Sequence, residues 1–231
     1  KAAHILANII ENYPRDTVAC FDPVKGNLPR RKLDEDKLIA YLEKLAKNGA
    51  GALLIAASAG GGHLRTVDEL DAWFRATCKA KIGKCVKMGL LRPEDSIKDN
   101  LRLVATMKES GFSVGFIRPG TNLPKNSSCK AVAANMAPLV KMIGDAGMAV
   151  GCYSISGVSG GGNRLSANAL SYLVKGNGGD KICAVKLTEL SYETSTLECL
   201  KHPDLKHLKI VQGWDAYISR AFMDGPKHDA K

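Results

Sequence analysis

Residues 148–188 read MAVGCYSISGVSGGGNRLSANALSYLVKGNGGDKICAVKLT. Apolar runs at 148–155 and 182–187 flank a glycine-rich turn and a segment, LSANALSYLVKG, whose apolar residues recur at helical spacing. A strand, a helix and a second strand in that order form a βαβ unit with parallel strands, because the helix returns the chain to the same end of the sheet. The pattern extends in both directions. Further strand-like runs fall at 17–21, 52–57, 85–90, 113–117 and 208–213, so that each βα unit takes about 30 residues.

The helical segments between them carry recognisable ends. LDEDKLIAYLEKLAKNG (33–49) opens with Asp34 as N-cap and stops at Gly49, and TVDELDAWFRATCKA (66–80) pairs Thr66 with Glu69 as a capping box. RPEDSIKDNLRLVATMKESG (92–111) places Pro93 in its first turn and Gly111 past its end. CKAVAANMAPLVKMIGDAG (129–147) holds Pro138, which predicts a kink or a break. SYETSTLECLKH (191–202) and AYISRAFMDG (216–225) complete the series. Seven βα repeats without a linker or a shift in composition predict an α/β fold, a (β/α)8 barrel forming a single domain over 1–231, truncated after its seventh strand and helix. A doubly wound sheet is the alternative. The glycine-rich SAGGGH (58–63) and SGVSGGGNR (156–164) match neither G-x-G-x-x-G nor the phosphate-loop pattern and are read as loops at the active rim.

Composition excludes several function classes. With 24% charged and 45% hydrophobic residues over 231 positions, the chain can bury a core and is not disordered. No apolar run reaches the length of a membrane helix, and KAAHILANIIENYPRD at the start meets acidic residues and proline too soon for a signal peptide, so a cytoplasmic protein without a membrane partner is expected. The net charge of +10 is spread along the chain, and its densest patch, 29–32, has no interleaved aromatics, which argues against nucleic acid as a partner. Seven scattered cysteines without C-x-x-C pairs read as reduced thiols. His202 and His207, around Pro203, lack a ligand partner at helical spacing, His63 reads as a solvated loop residue, and no metal is expected.

In a barrel the reacting groups stand where strands end. Those positions hold Phe21 and Asp22, Ser58 with Ala59 and Gly60, Leu90, Arg118 with Pro119, Tyr153, Lys186 with Thr188, and Gly213 with Asp215. Lys186 lies in ICAVKLT, an otherwise apolar strand. Burial there disfavours the ammonium and leaves more free amine, the form that bonds to a carbonyl carbon as a Schiff base. A pairing with Glu189, or a surface position at the strand end, accounts equally well for a lysine at this place. Tyr153 is read either as a core aromatic or as a proton shuttle.

Taken together, the SAG turn after the second strand, YSIS ending the fifth, the lysine of AVKLT in the sixth and QGWD after the seventh resemble the dihydrodipicolinate synthase and N-acetylneuraminate lyase family of class I aldolases. The resemblance runs from TVACFDP (17–23) to GWDAYISRAFMDG (213–225). It implies a lyase in which Lys186 forms an imine with pyruvate or another 2-oxo acid substrate, Tyr153 relays protons, and no cofactor is needed beyond the lysine itself. Ser58 and Ala59 fall on the family's Thr-Thr pair, whose backbone amides hold the substrate carboxylate. Thr188, Gly213 and Asp215 match positions that bind the polyhydroxy tail in the lyase branch, and a homotetramer is implied.

Arg118 is read as a cation for an acidic sugar substrate or as half of an ion pair. Several positions depart from the family pattern. Gly61 replaces a glutamate, Pro119-Gly120-Thr121 replaces Pro-Tyr-Tyr, and Val158 stands where the synthase branch carries an arginine, which argues against lysine biosynthesis. The chain also stops before the family's eighth strand and closing helices, so missing residues are expected. A barrel that has lost catalysis and serves as a binding or structural protein is the second reading, motivated by Ala59, Gly61 and Gly120. A nucleic-acid-associated protein ranks well below both.

Overall fold

A computed structural model describes residues 14–19, 32–157 and 160–228. Expectations attached to Cys20, Phe21, Asp22, residues 29–31 and Val158 lie outside the described residues. The strands are β1 (Pro14–Asp16), β2 (Ala52–Ile55), β3 (Val86–Leu91), β4 (Val114–Ile117), β5 (Ala149–Ser154), β6 (Ile182–Leu187) and β7 (Lys209–Gln212). The α-helices are α1 (Glu35–Lys47), α2 (Val67–Ala76), α3 (Ile97–Glu109), α4 (Cys129–Asp145), α5 (Ala167–Lys175), α6 (Thr196–Lys201) and α7 (Ile218–Asp224). Strand order follows chain order from β1 to β7. A doubly wound sheet reverses its order partway across, so the monotonic order removes that alternative and leaves barrel-type winding. No helix among the described residues is long and apolar enough to cross a membrane.

Contacts divide the described chain into two compact units, one running to Leu90 with Asp95–Gly115 and the other comprising Leu91–Glu94 with the residues from Phe116 onward. In the first, β1, β2 and β3 pair in parallel, with Asp16 opposite Leu54 and Leu54 opposite Met88. Every residue of β2 is buried, the pattern of a parallel strand covered on both faces. Leu38 and Leu42, one turn apart on α1, are buried, as are Trp73 and Phe74 of α2 and Leu103 and Met107 of α3. Phe74 meets Phe112 edge-on with centroids 5.2 Å apart. Asp34 and the Thr66–Glu69 capping box stand as expected. Asp71 on α2 accepts from Thr106 and Arg102 of α3 at 2.5 and 3.1 Å.

Two expectations fail in this unit. The first strand is Pro14–Asp16 rather than 17–21, and Thr17–Ala19 continue without strand structure. Thr17 still bonds to β2, its amide and hydroxyl both donating to the Leu54 carbonyl at 3.1 Å each. Helix α3 begins at Ile97, four residues after Pro93, because Ser96 caps it by accepting from the Asp99 amide at 3.0 Å.

In the second unit β5, β6 and β7 pair in parallel, with Tyr153 opposite Lys186 and Lys186 opposite Val211. A register shift after Val150 moves the next pair to Gly151 and Ala184. Every residue of β5 and β6 is buried. Helix α4 runs unbroken through Pro138, with Met136, Leu139 and Val140 buried around it, so packing overrides the lost hydrogen bond. Helix α6 is shorter than the 191–202 segment predicted. Residues Ser191–Ser195 form a turn instead, with the Ser195 hydroxyl donating to the Ser191 carbonyl.

Candidate active site at the ends of strands five to seven

Neighbouring parallel strands lie about 4.8 Å apart, so the register that sets Tyr153 opposite Lys186 brings their side chains together on one face. Lys186 Nζ lies 4.7 Å from the centroid of the Tyr153 ring. Both groups are enclosed: Lys186 is 8% exposed and Tyr153 1%. The ring face is electron-rich and suits a lysine head group in this position. Val185 and Leu187 flank Lys186 along β6, whereas Tyr153 stands between Cys152 and Ser154 on β5.

Thr188 and Gly213 join this pair. The Gly213 amide donates to the Leu187 carbonyl at 2.8 Å, which extends the β6–β7 ladder to the strand ends. A Cβ at position 213 would stand 2.1 Å from Thr188 Oγ1 and 2.8 Å from Lys186 Cε, both inside contact distance. The missing side chain is therefore the space these groups occupy. Thr188 Oγ1 is buried and without a hydrogen-bond partner among the described residues. Asp215, two residues on, is exposed at the start of a short 3-10 turn.

Arg118, at the end of β4, is 1% exposed and bound to Glu94 through both terminal nitrogens, Nη1 to Oε2 at 3.1 Å and Nη2 to Oε1 at 2.5 Å. Burial by itself would raise the Glu94 carboxyl, but hydrogen bonds and charge from Arg118 outweigh it and hold the group below the ordinary carboxylate range. Of the two roles open to Arg118 in the sequence, the ion pair is the one present. At Gly120 the amide donates to Asn135 Oδ1 at 2.8 Å, and a Cβ would lie 2.4 Å from Asn122 Oδ1.

Ser58 and Ala59 belong to the other unit. They open a short 3-10 turn whose backbone bonds are donated by Gly60, Gly61 and Gly62, the residues that follow. Gly60 and Gly62 are required by packing, since a Cβ would lie 2.2 Å from the Thr17 carbonyl oxygen and 1.8 Å from that of Ala56. Among the described residues no group of three or more His, Cys, Asp or Glu is placed to hold a metal. His202 instead accepts from the Asp204 amide at 3.3 Å.

Glu189 is the residue whose place the sequence did not reveal. Read there as a candidate partner of Lys186, it accepts from Ser154 Oγ at 2.6 Å, Ser156 N at 2.9 Å and Ser156 Oγ at 2.6 Å. An odd separation of three residues along extended chain turns Glu189 and Lys186 to opposite faces. The signal available was the serine pair flanking Ile155, two hydroxyls spaced to serve one acceptor.

No protein-family model matches this sequence, and a search of curated proteins returned no match. Solved structures do match. Dihydrodipicolinate synthase from Aquifex aeolicus is 14% identical with a TM-score of 0.70, over 89% of this chain and 64% of its own. A prophage protein of the dihydrodipicolinic acid synthase family from E. coli K12, solved in complex with pyruvate, is 13% identical with a TM-score of 0.74, over 95% and 68%. A Ruminococcus gnavus sialic acid aldolase, solved as a catalytic lysine mutant, is 14% identical with a TM-score of 0.70, over 94% and 64%. The chain thus spans about two thirds of each of these proteins. At the level of fold the resemblance read in the sequence is borne out: the chain has the (β/α) barrel fold of the dihydrodipicolinate synthase and sialic acid aldolase structures over the part of it that it spans.

Proposed function

We propose that the chain is a lyase of the class I aldolase type, in which Lys186 forms an imine with pyruvate or another 2-oxo acid. The observation that carries this reading is the enclosed Lys186 amine at 4.7 Å from the Tyr153 ring, on strands in register. The amine nitrogen attacks the ketone carbon to give a carbinolamine, and the hydroxyl leaves as water with a proton delivered through the Tyr153 phenol. The protonated imine then takes up the electron pair released when the adjacent carbon–carbon bond breaks, or when a hydroxyl leaves, so no cofactor is required. Thr188, Gly213 and Asp215, on the same unit as Lys186, would receive a sugar-acid-like tail. Cytoplasmic location and assembly as a homotetramer belong to the same proposal.

Borohydride reduction in the presence of pyruvate tests it. The peptide containing Lys186 should gain the mass of pyruvic acid less one oxygen atom, and Lys186→Ala should gain nothing. A catalytically silent barrel is the second reading, favoured by Gly120, whose packing against Asn122 and Asn135 leaves no room for the tyrosine found there in the family pattern. An unmodified, folded protein would establish that reading in place of the first.

A further inference from the structure

We propose that Glu189 is a positioning residue that sets the Tyr153 phenol against the Lys186 amine, an inference that rests on the imine reading above. The residue is 7% exposed and its carboxylate is held by three neutral donors, all from the segment just past Tyr153. Ser154 is committed on both sides: its hydroxyl donates to Glu189 and its oxygen accepts from the Leu165 amide at 2.9 Å. The Ser154 carbonyl also accepts from the Thr188 amide at 2.9 Å. Three residues after the amine and one residue after the phenol, the two strands are thus bound together by side chains as well as backbone.

The clamp sits on the opposite sheet face from the reacting pair, because Ser154 and Tyr153 alternate along β5. It touches neither reacting atom. Its effect is to stop the end of β5 from shifting or rotating relative to β6, and misplacement of reacting groups by about 1 Å can slow a reaction about 100-fold. Removing the carboxylate would leave the Ser154 and Ser156 donors without their acceptor, and the three matched donors define one geometry at the strand ends. Deleting the carboxylate should therefore lower the rate of the step more than the affinity for the 2-oxo acid.

The test measures reductive trapping at Lys186 against pyruvate concentration for wild type, Glu189→Ala and Glu189→Gln, at a temperature where circular dichroism shows each folded. The expected result is about a tenfold fall in the maximal trapping rate of Glu189→Ala, with the half-saturating concentration within about twofold of wild type. Glu189→Gln, which keeps an acceptor oxygen and the same shape, should recover most of the rate. Should Glu189→Ala not fold, Ser156→Ala removes one donor and should give an intermediate loss. Wild-type trapping with an unchanged maximal rate in these variants, or a change in half-saturation alone, overturns the positioning role and leaves the imine reading intact. An untrapped wild type overturns the imine reading and the positioning role with it.

Discussion

Gly213 shows how a residue without a side chain shapes a site. Its Cα faces the Lys186 methylene chain and the Thr188 hydroxyl so closely that any Cβ would overlap both. Gly213→Ala must push Lys186 away from Tyr153 or spread β7 from β6. Overpacking of this kind destabilises by about 1–3 kcal/mol. The expected outcome is a loss of borohydride trapping of at least about tenfold, with a lowered melting temperature. Adding Thr188→Ala removes the closest overlap, at the hydroxyl, and should restore stability while trapping stays impaired. Full recovery of trapping in that double variant would show that Gly213 acts through Thr188 and not through the lysine. The sequence marked position 213 by motif alone, since a glycine's neighbours across a strand pair are not local in the chain.

At the scale of elements, Glu94 and Arg118 join the turn after β3 to the end of β4. Because Arg118 is enclosed, removing its partner leaves a buried charge, and Glu94→Gln should destabilise at neutral pH by about 3 kcal/mol. The pH dependence follows from the lowered Glu94 carboxyl. A carboxyl whose folded value lies below its unfolded value of about 4.3 contributes in full above that value. The contribution disappears as pH falls through the folded value. Denaturant titrations of wild type and Glu94→Gln should thus differ by a constant amount above about pH 4.3 and draw together only as pH falls below it. A difference that widens as pH falls below that value would refute the assignment. Helix limits teach a related lesson. Asp34, Thr66 and Ser96 each cap by accepting from an amide three residues on, and the start of α3 was misread because Pro93 was taken for its first turn in place of Ser96 as its cap.

For the molecule as a whole, burial divides the thiols. Cys78 is exposed, whereas Cys152, Cys183 and Cys199 are buried. Burial pushes the Cys183 and Cys199 thiols up to about 12 and raises that of Cys152 as well. A thiolate-directed reagent at pH 8 should label Cys78 rapidly and leave these three unmodified until denaturant opens the fold. Mass spectrometry of each cysteine peptide reads the result, and fast labelling of Cys152 or Cys183 in the native protein would contradict the buried β5–β6 core. The reading of the cysteines as scattered thiols agrees with this division, because Cys152 and Cys183 sit inside strand-like runs.

Alternating strand and helix patterns, cap residues, and a lysine inside an apolar strand were written in the chain itself, because each depends on neighbours within a few positions. They sufficed for the seven βα units and for marking Lys186 and Tyr153 as candidates, while the choice of a barrel over a doubly wound sheet came from the strand order. Only the tertiary structure decided that the first strand ends before Thr17, that Arg118 is held by Glu94, and that Glu189 binds Ser154 and Ser156. The physical reason is distance along the chain: a hydrogen bond between residues 24 to 35 positions apart is set by strand register and packing, which no local pattern encodes.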